Sequence, residues 1–237
     1  MKIIFAGPSL YGAEFDPGDV VIRGPAEMGD LERVVAAGAT AVGIIDGHYQ
    51  QTGAVWHKEI LHALASGTAV YGAASMGALR AAECEPFGMV PVGAIARRYC
   101  SGELFDDADV ALTNGPAELD FAPLTEAIVD VEATLAHLLD LRLVDPAQAS
   151  RIDAVARGIF FADRTIEAIF ERLDAPGLLA LYTAHRVSQK TRDALELIET
   201  FKALDTSRRD AEPAFRFANS PFWSGRDTAR SSSVTSL

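Results

Sequence analysis

Short apolar runs alternate with amphipathic stretches in the first third of the chain. The apolar runs predict buried strands at residues 2–6, 20–23, 41–45 and 68–71. The amphipathic stretches predict helices at residues 27–37, 54–65 and 76–83, and glycines that can act as C-caps follow the first two. Apolar strands that alternate with helices are typical of a parallel sheet covered on both faces. We therefore expect an α/β fold, with a parallel-type sheet and helices on both faces in the N-terminal half.

The pattern is irregular from residue 87 to residue 116, and it changes after residue 123. A helix is predicted at residues 93–101 and a fifth strand at residues 110–113. Helical periodicity then predicts helices at residues 124–141, 146–159, 163–173 and 188–204. After residue 206 the composition shifts to Ser, Arg, Asp and Pro with isolated aromatic residues. We divide the chain into an α/β domain (1–120), a helical part (121–205) and an extended, partly disordered tail (206–237).

One stretch, VYGAASMGALR at residues 70–80, places a serine between a predicted strand and a predicted helix. Small residues on both sides of Ser75 permit a sharp turn that would expose the serine above the sheet, as in a nucleophile elbow. The spacing is G-x-x-S-x-G, one residue different from the G-x-S-x-G of α/β-hydrolases. Small residues between strand and helix also serve close packing. The spacing leaves both interpretations of Ser75 open.

Two other turns follow strands of the predicted sheet, Gly7-Pro8-Ser9 and Asp46-Gly47-His48. Ligands of such sheets bind outside the carboxyl ends of the strands, so we expect both turns to meet the Ser75 turn there. Asp46 could orient a base or bind a cation, although a turn or capping carboxylate is the more common role. Ser9 could offer its N–H group to an oxyanion or could be a turn residue.

A serine nucleophile needs a base, because its hydroxyl is protonated at neutral pH. The candidates near the same edge are His48, His57 and Lys58. On a helical wheel Lys58 lies opposite the apolar stripe of its helix, which predicts a solvated lysine. His57 lies nearer the edge of that stripe, so a Ser–His pair stays open. Residues in a first helical turn can nevertheless face a pocket at the sheet edge.

Arg80 and an acidic group are further candidates for a role in the site. Arg80 could hold an acidic group of a substrate or partner, or pair with Glu83 one turn away. The acidic group at residues 106–109 lacks a spaced fourth ligand, so we interpret it as a solvated turn and predict no metal site. The sequence contains no glycine-rich nucleotide-binding motif, and we predict no cofactor.

Composition narrows the classes of function. The chain has 237 residues, 49% of them hydrophobic, and a formal net charge of −12. An acidic surface repels phosphate backbones, so nucleic acid is an unexpected partner. The apolar run at the start is too short for a signal peptide, and no run reaches membrane-spanning length. Cys84 and Cys100 show no metal-type spacing, and we expect a cytoplasmic protein with free thiols.

Several ordered motifs in residues 1–120 resemble the TfuA-like protein family. They are GPSL at residues 7–10, GIIDG at 43–47, VWHKEI at 55–60, GAASMGALRAAE at 72–83, GELFDD at 102–107 and NGP at 114–116. The helical part fits the family loosely, and we could match nothing after about residue 206.

The resemblance implies an activity and partners. TfuA-like proteins accompany YcaO-type enzymes in thioamidation of the peptide backbone, a modification in the biosynthesis of ribosomally made peptides. The resemblance implies a hydrolase that releases sulfide from a thiocarboxylated ThiS-like sulfur-carrier protein and that aids the hold of YcaO on its peptide. The opposing hypothesis is a non-catalytic adaptor that binds the YcaO-type enzyme or the precursor peptide.

The resemblance also implies a site. The family's Ser–Lys pair maps onto Ser75 and Lys58. N–H groups at Met76 or Gly77, with Ser9 or Leu10, would stabilise the oxyanion. We further expect Asp46, Gly47, His57 and Arg80 around the substrate, where glycines would leave room for the thin Gly-Gly tail of the carrier.

Overall fold

In the computed structural model, residues 1–48, 53–205, 215–219 and 223 are described. Five parallel strands form one sheet in the order β2-β1-β3-β4-β5. They are β1 (Lys2–Phe5), β2 (Val20–Arg23), β3 (Ala41–Ile44), β4 (Ala69–Gly72) and β5 (Val90–Pro91). The order reverses at β1, because β2 is added on one side of it and β3 on the other. A crevice at such a reversal, outside the carboxyl ends of β1 and β3, is where open α/β sheets bind ligands.

The described residues also form nine α-helices. They are α1 (Asp30–Ala36), α2 (His57–Ala65), α3 (Met76–Cys84), α4 (Gly93–Cys100), α5 (Ile128–Asp140), α6 (Pro146–Arg157), α7 (Ile166–Leu173), α8 (Pro176–Ala184) and α9 (Gln189–Ala203). None of the helices within these described ranges is long and apolar enough to cross a membrane.

Alternation along β1 explains how helices cover both faces of the sheet. Ile3 and Phe5 belong to a buried cluster with residues of α1, α2 and α3, whereas Ile4 belongs to a cluster with α9. Successive side chains of a strand point to opposite faces, so an all-apolar strand needs cover on both. The α/β prediction is therefore confirmed. Helices α5 to α8 pack around a separate apolar cluster.

The last long helix belongs to the sheet rather than to the helical cluster. Ala194, Leu197, Ile198 and Phe201 of α9 are fully buried against the sheet. The boundary predicted at residue 120 stays a prediction, but the chain returns to the sheet after it. This return carries the first turn of α9 to the carboxyl edge of the strands.

The structure corrects three element predictions. Residues 110–113 form no strand. The next residue, Asn114, makes an isolated antiparallel bridge with Pro123. The fifth strand is β5, whose proline is tolerated because an edge strand needs few backbone donors. Helix α8 was not predicted, since its apolar residues show little one-sided periodicity. Most of the predicted tail lies outside the described residues.

Candidate active site

A cavity of about 710 Å³ lies at the carboxyl edge of the sheet. The turns after three strands contribute to it: Pro8 follows β1, Asp46 and Gly47 follow β3, and Ser75 follows β4. Its other residues come from α3, from the segment between α4 and α5, from the segment before α7, and from the first turn of α9. The expectation that the three turns converge agrees with this lining.

Ser75 is held by an unusual turn. Ala74 has a φ of 63°, in the left-handed region that side chains other than glycine seldom adopt, and its strain is typically about 1 kcal/mol. Ser75 follows with φ −117° and ψ −124°, and α3 begins at the next residue. Its side chain caps no N–H group of α3 and makes no hydrogen bond to a described residue. The turn therefore presents a partly exposed hydroxyl to the cavity.

Glycines on both sides of the turn allow α3 to approach the sheet closely. A Cβ at Gly77 would overlap the carbonyl oxygen of Ile44, and a Cβ at Gly72 would overlap the carbonyl oxygen of Gly77. The N–H group of Gly77 donates to the carbonyl of Ile45 at 3.1 Å. The small residues of the motif thus serve packing, and the same packing fixes the place of Ser75.

Asp46 joins two of the turns. Its carboxylate is 1% exposed and accepts hydrogen bonds from the N–H groups of Gly7 (2.8 Å) and Ser9 (3.0 Å) and from the hydroxyl of Ser9 (2.7 Å). Both oxygens of this buried carboxylate therefore have hydrogen-bond partners. Asp46 acts here as a turn carboxylate that also lines the cavity.

These contacts correct the predicted oxyanion donors. The N–H group of Ser9 donates to Asp46, that of Leu10 to the carbonyl of Gly7 at 2.9 Å, and that of Gly77 to Ile45. Donors already engaged in this way are not available to a substrate. The N–H group of Met76 makes no backbone hydrogen bond within the described chain. The role of Met76, at the first position of α3, as an oxyanion donor stays a prediction.

The structure does not bring Lys58 and Ser75 together. The ammonium group of Lys58 lies 5.5 Å from the ring centroid of Phe217 and 5.8 Å from that of Trp223, and Lys58 is not among the residues that line the cavity. The cause is the orientation that the helical wheel predicts, with Lys58 on the side of α2 away from its apolar stripe. Two rings of the tail cover that side, and both also contact His62.

Arg80 and His57 form a small polar cluster with Glu83. Arg80 donates to Glu83 at 2.6 Å and to the carbonyl of Val55 at 3.0 Å. Nε2 of His57 lies 2.7 Å from the same carboxylate. Arg80 and Glu83 line the cavity, whereas His57 does not. Arg80 thus reaches the cavity with its charge already paired, and His57 is not placed to serve Ser75.

Lys190 is a cavity residue that the sequence analysis missed. It is 1% exposed, and its ammonium group donates to the carbonyl of Val110 at 2.9 Å. Burial lowers the pKa of Lys190, and the negative charges of Asp46 and Asp130 oppose that effect. A signal was available, because Lys190 lies at i, i+4, i+7 and i+8 spacing on the apolar stripe of α9.

The acidic segment forms a wall of the cavity. Asp106 accepts a hydrogen bond from the N–H group of Ala108 at 2.9 Å, and its carbonyl accepts one from the Tyr99 hydroxyl at 2.7 Å. Asp109 pairs with Arg157 at 3.1 Å. Next to this turn, Phe105 is 89% exposed at the cavity. The described residues contain no group of three or more His, Cys, Asp or Glu side chains arranged to hold a metal ion.

Comparison with known proteins finds a match to a protein family. The model of a family described as TfuA-like protein matches residues 46–165, half of the chain. The match includes the Asp46 turn, the Ser75 turn and the acidic wall, and ends before α9. No curated protein matches the chain.

Proposed function

Since this chain belongs to the TfuA-like protein family, we propose that it is a hydrolase that releases sulfide from a thiocarboxylated sulfur-carrier protein and thereby assists a YcaO-type enzyme in backbone thioamidation. One observation supports the hydrolase most. Ser75 stands at the N-terminus of α3, after a strained Ala74, with a hydroxyl that no described residue binds and that opens on a cavity. Serine nucleophiles are presented in this way at strand-to-helix turns.

The chemistry has two halves. The oxygen of Ser75 attacks the thiocarboxylate carbon while a lysine amine takes the hydroxyl proton, and sulfide leaves to give an acyl ester. Water then attacks the ester, and the carrier departs with an ordinary carboxylate. The N–H group of Met76, at the positive end of α3, stabilises the oxyanion in both halves. No oxidant or reductant is needed.

The shape of the cavity fits the end of a carrier rather than its body. A volume of about 710 Å³ holds a few residues of extended chain. The folded body of the carrier would remain outside, against the mouth of the cavity. Phe105, which is 89% exposed there, offers an aromatic contact.

A specific observation favours the second candidate, a non-catalytic adaptor. Gly72 and Gly77 are needed for packing whether or not Ser75 reacts, and Lys58, which the family resemblance pairs with Ser75, lies elsewhere. An adaptor would bind the YcaO-type enzyme or its peptide with no chemistry at Ser75.

Sulfide release from a thiocarboxylated ThiS-type carrier tests the two candidates. We compare the unaltered protein with Ser75→Ala and with Ser150→Ala, a control on the exposed side of α6. The hydrolase requires release by the unaltered protein and the control, and loss of release in Ser75→Ala. Equal behaviour of all three, with Ser75→Ala still supporting thioamidation by the YcaO-type enzyme, would favour the adaptor.

A further inference from the structure

We propose that Lys190, and not Lys58, is the base that accepts the proton of Ser75. The inference rests on the proposed function only in taking Ser75 as the nucleophile. It does not depend on the identity of the acyl substrate.

The placement of Lys190 follows from the fold. Helix α9 packs on the face of the sheet opposite α3, and its first turn reaches the carboxyl edge of the strands. Lys190, from the first turn of α9, and Ser75, from the turn after β4, thereby line one cavity at that edge. Within the described chain, Lys190 is the lysine of that cavity, whereas Lys58 lies against the rings of the tail.

The fixed contacts of Lys190 leave its amine suited to proton transfer. The backbone N–H of Lys190 donates to Asp130 at 3.0 Å, which anchors the residue at the start of α9. One N–H bond of the side-chain amine is directed at the carbonyl of Val110. A neutral amine held in this way keeps a lone pair for the hydroxyl of Ser75. The hydrogen bond to Ser75 is not formed in this structure, and a flexible lysine stem can make it when substrate binds.

The surrounding charges set the protonation of Lys190. Asp46 and Asp130 are the carboxylates that act on it, and both favour the ammonium form, while burial opposes it more strongly. His48, Arg80, Glu83, Asp106 and Asp107 also line the cavity. The balance lowers the pKa of Lys190 below the usual lysine value of 10.5. The neutral form is therefore present at lower pH than for a surface lysine.

An alkyl fluorophosphonate tests the base without any carrier protein. The serine oxygen bonds to phosphorus, fluoride leaves, and the hydroxyl proton passes to the base. We follow addition at Ser75 by intact mass and peptide mapping for the unaltered protein, Lys190→Met, Lys58→Met and Lys202→Met. Lys202 provides the matched control, because it lies on the same helix, pairs with Glu199 and does not line the cavity.

We expect the labelling of Ser75 to slow strongly in one variant, Lys190→Met. Lys190→Met should label at least about 100-fold more slowly, which is the usual contribution of a general base. Lys202→Met should label at the normal rate. Methylamine added to Lys190→Ala should restore part of the rate, because the deleted amine leaves a space that opens on the cavity. Thermal melting of each variant checks that it is folded.

A measurement on the unaltered protein covers the case in which Lys190→Met does not fold. The labelling rate of the unaltered protein should rise with pH and level off at an inflection below 10.5, the usual lysine value, because the neutral amine of Lys190 is the form that accepts the proton. Normal labelling of a folded Lys190→Met, loss of labelling in Lys58→Met alone, or no labelling of the unaltered protein would each overturn the proposal. If labelling depends on Lys190 but the protein releases no sulfide from the carrier, the proposed substrate is wrong and the assignment of Lys190 as the base is supported.

Discussion

Gly77 of α3 lies directly against the carbonyl group of Ile44 in β3, where even a methyl side chain would overlap the oxygen. The contact joins the helix that begins beside Ser75 to the strand that ends beside Asp46. It therefore sets the distance between two sides of the cavity.

The first prediction is that Gly77→Ala destabilises the protein strongly. The obstacle is backbone atoms of a central strand, which cannot move aside as a flexible side chain could. We expect the free energy of unfolding to fall by about 3 kcal/mol or more, the range of severe overpacking. Urea denaturation followed by circular dichroism measures it.

Gly177→Ala is the matched control. Gly177 is also the second residue of its helix, α8, but a Cβ there would meet no atom within 4 Å. Alanine has the higher helix propensity, so Gly177→Ala should leave stability unchanged or raise it by about 0.5–1 kcal/mol. Equal losses in the two variants would show that the overlap at Ile44 is not the cause.

The sequence predicted the part of the site that the turns after neighbouring strands form. Apolar strands and glycine-ended helices located the carboxyl edge, and with it Asp46 and Ser75. The sequence could not predict which backbone N–H groups remain available to a substrate, because Gly77 and Ser9 donate to partners more than 30 positions away. Lys190 comes from a helix 115 positions after Ser75, and only its place on the apolar stripe of α9 indicated that it is buried.

The second prediction concerns Asp46→Asn. An asparagine oxygen in the place of Oδ2 keeps the bonds from the N–H groups of Gly7 and Ser9, but its NH2 group in the place of Oδ1 cannot accept from the Ser9 hydroxyl. Loss of the buried charge next to Lys190 adds to the effect. We expect a loss of about 3 kcal/mol in the free energy of unfolding.

Asp16→Asn provides the comparison for Asp46→Asn. Asp16 is exposed and accepts one hydrogen bond, from the N–H group of Gly18 at 3.0 Å, which an asparagine oxygen can also accept. Its change in stability should be within about 0.5 kcal/mol. If Asp46→Asn is equally mild, the three hydrogen bonds to Asp46 contribute little.

The third prediction is a pH dependence from Glu126. Burial raises the pKa of this carboxyl to about 7, with Asp130 and Glu167 adding to the rise and Arg186 opposing it. The folded protein therefore binds the proton more tightly than the unfolded chain, whose value is 4.5. The contribution of Glu126 to the free energy of unfolding is fully present below pH 4.5. It is lost as the pH rises to about 7.

Glu126→Gln should remove that decline. Between pH 5 and pH 8, its free energy of unfolding should fall less than that of the unaltered protein, by a difference of up to about 3 kcal/mol. Urea unfolding at several pH values measures both curves. Glu171→Gln, at an exposed position of α7, should leave the curve unchanged. Parallel curves for the unaltered protein and Glu126→Gln would contradict a raised pKa at Glu126.

The last prediction separates carrier docking from chemistry at Ser75. Phe105 is the most exposed large apolar side chain at the cavity, so Phe105→Ala should weaken contact with the carrier body more than it affects the serine. We expect the apparent KM for the thiocarboxylated carrier to rise about tenfold, the loss of a modest aromatic anchor, while fluorophosphonate labelling falls much less. Leu141→Ala, which removes an exposed apolar residue at the end of α5, should change neither. Equal falls in carrier turnover and labelling would instead assign Phe105 to the shape of the cavity, because a small probe does not touch the surface where the carrier body would dock.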